Sequence, residues 1–141
     1  MTTWTGSNAF RLMPTDAPHA AVAAAEVTVG AGGNLLSLAY TWLHPDDGAQ
    51  DGLLVLGPGA EGTAVALWGD SWHQTPEAQV LTGTVDSGVW TVGYEYVPGQ
   101  WSWRVTVDAS AASELLVVME NVALDGDEPA YAAMDLRVQS A

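Results

Sequence analysis

Val89-Trp-Thr-Val-Gly-Tyr-Glu-Tyr-Val-Pro-Gly-Gln-Trp-Ser-Trp-Arg-Val-Thr-Val-Asp108 is the stretch that decides the fold. Side chains alternate between the two sides of a strand, so its large apolar residues fall on one face only if the segment folds back on itself. Pro98-Gly99 supplies the turn: proline presets φ at the second turn position and glycine accepts positive φ at the third. A two-residue loop there pairs Tyr96 with Trp101, Tyr94 with Trp103, Val92 with Val105 and Trp90 with Val107. All eight then share one face, and Glu95, Ser102, Arg104, Thr91 and Thr106 share the other. A three-residue loop shifts the pairing by one and breaks this sorting, so the sorting supports the two-residue register.

The same rhythm runs through the whole chain. Short apolar or alternating runs cover approximately 9–13, 21–29, 34–43, 53–56, 63–68, 79–85, 89–97, 100–107, 114–124 and 130–138. Between them lie breakers such as Gly30-Ala-Gly-Gly33, Pro45-Asp-Asp-Gly48, Gly57-Pro-Gly59, Asp86-Ser-Gly88 and Asp125-Gly-Asp127. Many short strands with turn signals at this spacing indicate an all-β protein. The breaks are too short for helical crossovers, so neighbouring strands are antiparallel. About ten strands in a meander leave two open edges, and closure into an up-and-down barrel removes them; a two-sheet sandwich is the alternative. Two segments resist this reading. The alanines of 20–25 favour helix by propensity, but they run directly into β-branched Val27-Thr-Val29. The segment 114–122 is rich in Leu, Met and Glu, and its Val117-Val118 centre tips it to strand.

Composition narrows the function. The chain has 141 residues, the size of one domain, and carries 17 acidic residues against three arginines and no lysine, a net charge of −14. That balance disfavours nucleic acid and anionic membranes, both of which need cations on the protein. Without cysteine there are no disulfides, thiolate nucleophiles or thiolate metal ligands. No run approaches the ~18 apolar residues of a membrane helix, and residues 1–8 lack the basic and apolar regions of a secretory signal. The expected location is the cytoplasm.

The densest polar and aromatic cluster is Trp68-Gly-Asp-Ser-Trp-His-Gln-Thr-Pro76. Ser71, His73 and Asp70 match a hydrolytic triad by type only. On a strand Ser71 and His73 point the same way without facing each other, Asp70 points opposite, and no nucleophile elbow is present. Asp70 and Ser71 read as turn residues bonded to local backbone. His73 reads as a pocket or rim histidine, with haem ligation or acid–base work as alternatives. His19 and His44 lie beside prolines, in expected loops. The acidic turns at 46–51 and 125–128 lack the spacing of a calcium loop and read as solvated turns.

Seven Trp stand against one Phe. Indole N–H and phenol O–H groups seek partners when buried, so the aromatics suit a cavity with mixed walls as well as a packed core. The expected ligand-binding set is Tyr40, Trp42, Trp68, Asp70, Trp72, His73, Tyr94, Tyr96, Trp101, Trp103 and Arg104. Turned inward, Arg104 would anchor an anion; turned outward, it pairs with Glu95 across the hairpin. The expected partner is a small hydrophobic or amphipathic molecule, with no cofactor required. An enzyme using His73 as acid or base, of cyclase or isomerase type, is one alternative. A homodimer formed through an outward aromatic face is another.

The runs Asn8-Ala-Phe-Arg-Leu-Met-Pro14, Tyr40-Thr-Trp42, Asp51-Gly-Leu-Leu-Val-Leu-Gly57, Trp68-Gly-Asp-Ser-Trp-His-Gln74 and Trp101-Ser-Trp-Arg104 resemble an uncharacterised bacterial family of lipocalin-like, calycin-type domains. The similarity spans nearly the whole chain. It implies a β-barrel and supplies no catalytic residue. The Gly-x-Trp signature of lipocalins proper is not kept, since Trp4 precedes Gly6. Haem-binding barrels of the nitrobindin type are similar in size, but their ligand histidine lies late in the chain, and here no histidine follows His73.

Overall fold

The computed structural model describes residues 2–140 as a closed antiparallel barrel of ten strands, the architecture expected of a lipocalin-like fold. The strands are β1 (Thr2–Phe10), β2 (His19–Gly30), β3 (Leu35–His44), β4 (Gly48–Pro58), β5 (Thr63–Asp70), β6 (Gln74–Asp86), β7 (Val89–Val97), β8 (Trp101–Asp108), β9 (Glu114–Ala123) and β10 (Tyr131–Ser140). Each pairs with its neighbours in sequence, and β1 closes on β10 from Trp4–Ser140 to Phe10–Met134. Every backbone edge is therefore satisfied within the sheet, which excludes the sandwich. The described residues contain no helix long and apolar enough to cross a membrane.

Alternation places the core. Leu38, Leu54, Leu56, Leu81, Val105, Val107, Leu115, Val117, Met119, Leu136 and Val138 point inward and are buried. Their one-off neighbours Leu53, Leu67 and Val80 are about half exposed on the outside of β4, β5 and β6. Both ambiguous segments are strands: the alanines enter β2 with Ala23 and Ala25 buried, and 114–123 forms β9. At Ala23 and Ala25 a small inward residue serves the interior better than helical propensity would serve the backbone.

Two expectations change. The first strand runs over Thr2–Phe10 rather than 9–13, because Thr3, Thr5 and Ser7 form an outward polar face and only Asn8 and Phe10 are buried at its end. The deciding hairpin keeps three of its four expected pairs, Tyr94–Trp103, Val92–Val105 and Trp90–Val107. The fourth is corrected. Trp101 pairs with Val97, and Tyr96 is the extra residue of a bulge after Glu95. Gly99 takes φ +75° and Gln100 N–H donates to the Val97 carbonyl at 2.9 Å, so the Pro-Gly turn forms as read. Such a turn twists against the strands, and the bulge absorbs the mismatch while preserving the sorting below it. The hairpin's aromatic side faces inward, with Trp103 buried and Trp90 and Tyr94 packed on the core, while Tyr96 at its tip is exposed.

The alternation sets a stability expectation. Leu54→Ala removes a fully buried side chain and lowers the unfolding free energy by about 2–5 kcal/mol. Leu53→Ala, one residue away on the outer face, changes it by no more than about 0.5 kcal/mol. Urea titrations of both variants check the pair.

Candidate functional site

The connections 11–18, 45–47, 71–73, 98–100 and 124–130 all lie at one end of the barrel. The sequence concentrates its aromatic and polar side chains there. The organising group is Asp70, the last residue of β5, whose carboxylate is buried. One oxygen, Oδ2, accepts from Tyr40 Oη at 2.6 Å and from Trp42 Nε1 at 3.2 Å. The other, Oδ1, accepts from the backbone N–H groups of Trp72 and His73 at 2.9 and 2.8 Å. Trp68 Nε1 in turn donates to Tyr40 Oη at 2.9 Å. One carboxylate thus ties β3, β5 and the β5–β6 turn together. Burial, and then the neighbouring Asp70 charge, push the Tyr40 phenol well above its usual 10, so it stays a donor.

Gly52 makes this possible. It lies between Tyr40 and Asp70 in the ladder, and a Cβ there would come within 2.2 Å of the Tyr40 ring and hydroxyl. The ring lies across the space a side chain would fill.

His73 is set by the same turn. Its ring stacks on Trp42 at 5.1 Å between centroids and meets Trp72, Trp103 and Phe10 at 5.0, 5.3 and 5.9 Å. Burial lowers its pKa from 6.5 to about 4; Asp70 opposes the shift and His44 adds to it. His73 is therefore neutral at pH 7, and its buried Nε2 finds no partner in the protein. Trp103 Nε1 is likewise buried without a partner, and the Trp103 ring stacks at 9° on Trp68.

Two recesses open against these side chains. One, of about 190 Å³, is lined by Trp68, His73, Tyr94, Tyr96, Trp103 and Asn121. The other, of about 240 Å³, shares His73, Trp103 and Asn121 and adds Trp72, Tyr131 and the β1–β2 connection from Phe10 to Met13. Past the Thr82–Gly93 pair β6 and β7 separate, and Tyr94 Oη reaches across to Gln74 Oε1 at 2.6 Å. Tyr96 Oη donates to Asn121 Oδ1, Asn121 Nδ2 to Tyr131 Oη at 3.1 Å, and Tyr131 Oη to the Leu12 carbonyl at 2.8 Å. Burial raises the pKa of Tyr94 and Tyr96, so the rim is lined by neutral phenols.

Of the expected set, Tyr40, Trp42, Trp68, Asp70, Trp72, His73, Tyr94, Tyr96 and Trp103 meet at this end. Trp101 is half-buried at the hairpin tip and lines neither recess. Arg104 does not join them. It faces outward, pairs with Glu120 of β9 at 3.2 Å, and lines a shallow outer groove of about 670 Å³. The partner is Glu120 rather than Glu95, which accepts from Gly99 N–H instead. Asp70 does bond turn backbone as read, and it also grips two core aromatics. Ser71 turns away from His73: its Oγ accepts from Asp51 N–H at 3.0 Å and donates to Gln50 at 2.7 Å. No nucleophile–base contact forms between them.

His44 corrects the loop expectation. It ends β3, is buried, stacks on Trp72 at 4.7 Å, and its Nδ1 accepts the N–H groups of Asp46 and Asp47 at 3.1 and 3.0 Å. Asn121, Tyr131 and Arg11 complete the site and lie outside the expected set; only closure of β1 on β10 and of β9 on β10 brings them beside His73. No protein-family model matches the chain, and no curated protein matches it either.

Tyr40→Phe leaves the Asp70 oxygen and the Trp68 N–H short of a partner, so it costs about 1–3 kcal/mol. Gly52→Ala displaces the same ring and costs a similar amount. The double variant falls well short of the sum, because both changes break one contact, and a double-mutant cycle in urea reads this directly.

The histidine gives a pH signature. An imidazole that titrates near 6.5 unfolded and near 4 folded adds stability that is complete above 6.5 and lost as the pH falls towards 4. Wild type should therefore lose on the order of 2–3 kcal/mol relative to His73→Phe between pH 7 and pH 4.5. Chemical denaturation of both proteins at the two pH values measures the difference.

Proposed function

We propose that the aromatic end of the barrel binds a small apolar or amphipathic molecule, seated against Tyr94, Tyr96, His73 and Trp103. The observation that carries this reading is the pair of unpartnered buried polar atoms, Trp103 Nε1 and His73 Nε2, on side chains that line both recesses. An unmade buried hydrogen bond costs about 1–3 kcal/mol. The cost is offset if an occupant supplies the missing partner. The aromatic walls fit a flat apolar body, and the indole N–H asks for an acceptor on it.

An acid–base enzyme is the weaker alternative. His73 is neutral at pH 7 and has no carboxylate bonded to its ring, since Asp70 spends its oxygens on Tyr40, Trp42 and backbone N–H groups. A base without an orienting partner lacks the usual geometry of general catalysis. Membership of the bacterial lipocalin-like family would fit the barrel and would leave the ligand open.

The test uses two flat probes, 2-quinolone with a carbonyl acceptor and naphthalene without one, titrated into the protein and followed through the indole N–H resonances. 2-Quinolone should bind more tightly and move the Trp103 signal. Trp103→Phe, which keeps an aromatic ring and removes the donor, should weaken it about fivefold to tenfold, one lost hydrogen bond. Equal binding of 2-quinolone to both proteins would remove the proposed role of Trp103.

A further inference from the structure

We infer that the molecule taken up at this end carries a carboxylate, and that Arg11 is the residue that holds it. The inference rests on the binding reading above and concerns the ligand's head group.

The first observation is where the charges lie. The two recesses together are lined by none of the chain's 17 acidic residues and by one of its three arginines. Asp16, Asp46, Asp47, Asp125, Asp127 and Glu128 belong to turns of this end of the barrel, yet none of them reaches either lining. In a chain of net charge −14, that is the reverse of what random placement gives.

The second observation is how the arginines are used. Arg104 pairs with Glu120 and Arg137 with Asp135. Among the described residues, no carboxylate lies within ion-pairing distance of Arg11. Asp16, the acid of the same connection, accepts from Met13 N–H through Oδ2 at 3.0 Å. The guanidinium is nevertheless held in place. Its Nε donates to the Ala132 carbonyl of β10 at 3.1 Å, its Nη1 to the Pro14 carbonyl at 3.5 Å, and its Cζ sits 5.9 Å from the Tyr131 ring centre, which leaves Nη2 and one Nη1 hydrogen free. Arg11 is half-buried at the junction of β1 with the recess, fixed by neutral partners, with its charge uncompensated. Arginine matches a carboxylate through parallel N–H donors, and such charge-assisted bonds are the strong ones.

The third observation is the free hydrogen-bonding capacity around it. Trp103 Nε1 is a donor without an acceptor. Asn121 uses its oxygen on Tyr96 and one amide hydrogen on Tyr131, which leaves it one donor. Two unspent donors, the Trp103 indole N–H and one Asn121 amide hydrogen, therefore lie on the recess that Arg11 lines, as an oxyanion requires. A flat apolar acid, with its ring against Trp103 and Trp72 and its carboxylate at Arg11, uses them together.

The experiment compares naphthalene-2-carboxylate with naphthalene-2-carboxamide at pH 7, by calorimetry and by indole N–H shifts. The carboxylate should bind at least tenfold more tightly than the amide. Arg11→Gln, which retains a donor for the Ala132 carbonyl, should bring the two within about threefold. Arg11→Lys should keep most of the preference, which separates the charge from any loosening of the loop. Equal binding of the two probes in wild type, or a preference that survives Arg11→Gln unchanged, overturns the assignment of Arg11 while leaving the binding site intact. Failure of both probes to move the Trp103 signal at millimolar concentration overturns the binding site as well.

Discussion

A single buried carboxylate organises the end of this barrel that matters. Burying an anion costs several kcal/mol unless its lone pairs are satisfied. Asp70 meets that condition with four donors from three places in the chain: the Tyr40 hydroxyl, the Trp42 indole and two consecutive backbone N–H groups. The compositional oddity of the sequence follows from this. A phenylalanine at 42 or 68 would supply an aromatic ring, but it would leave a void and could not donate to Asp70 or to the Tyr40 oxygen. The excess of Trp over Phe is, at these two positions, a supply of N–H groups for a buried anion and for the phenol bonded to it.

The same carboxylate divides labour along the barrel axis. Beneath it, Leu54, Leu56, Leu81 and Val105 form a dry aliphatic core that needs only volume. Around and above it, rings are fixed by hydrogen bonds at one edge and stacked at their faces. Fixed rings make poor filler, because they cannot shift to close small gaps, and the recesses beside His73 and Trp103 are what such packing leaves. Stability and an accessible concavity thus share a cause. The glycine at position 52 belongs to the same economy of space, since the phenol that anchors the carboxylate lies over it.

Much of this was legible in the sequence. Strand rhythm and turn residues fixed the number and pairing of strands, because both are local. Side-chain alternation sorted the Val89–Asp108 hairpin into two faces and left open which of them is inward; the closed barrel turns the aromatic face in. The clustering of Trp68, Asp70, Trp72 and His73 was visible because they are near neighbours in the chain. The remainder depends on long-range contacts. Arg104 offered an anion anchor only if it turned inward, and parity in β8 sends it outward, where it meets Glu120 rather than the Glu95 of its own hairpin. The arginine that does reach the aromatic end, Arg11, sits directly after β1 and owes its place to contacts with residues more than a hundred positions away. His44 looked like a loop residue beside a proline, and the rings of Trp72, Phe10 and Trp42 packed around it account for its burial. The Tyr96 bulge escaped notice because it satisfies turn twist, which a face-sorting argument does not register.

The seam between β1 and β10 has a kinetic side. It joins the two ends of the sequence, pairing Trp4 with Ser140, and contacts of that separation are the most expensive in loop entropy and the slowest to form. Phe10 and Arg11 come from one side of the seam, and Tyr131 and Ala133 from the other, yet all four line one recess. That recess exists only once the cylinder has shut. Any molecule that occupies it binds the closed chain and none of its precursors, so occupancy raises the population of fully zipped barrels by mass action. The concavity is thereby a property of the closed sheet alone, and of no part of it taken separately.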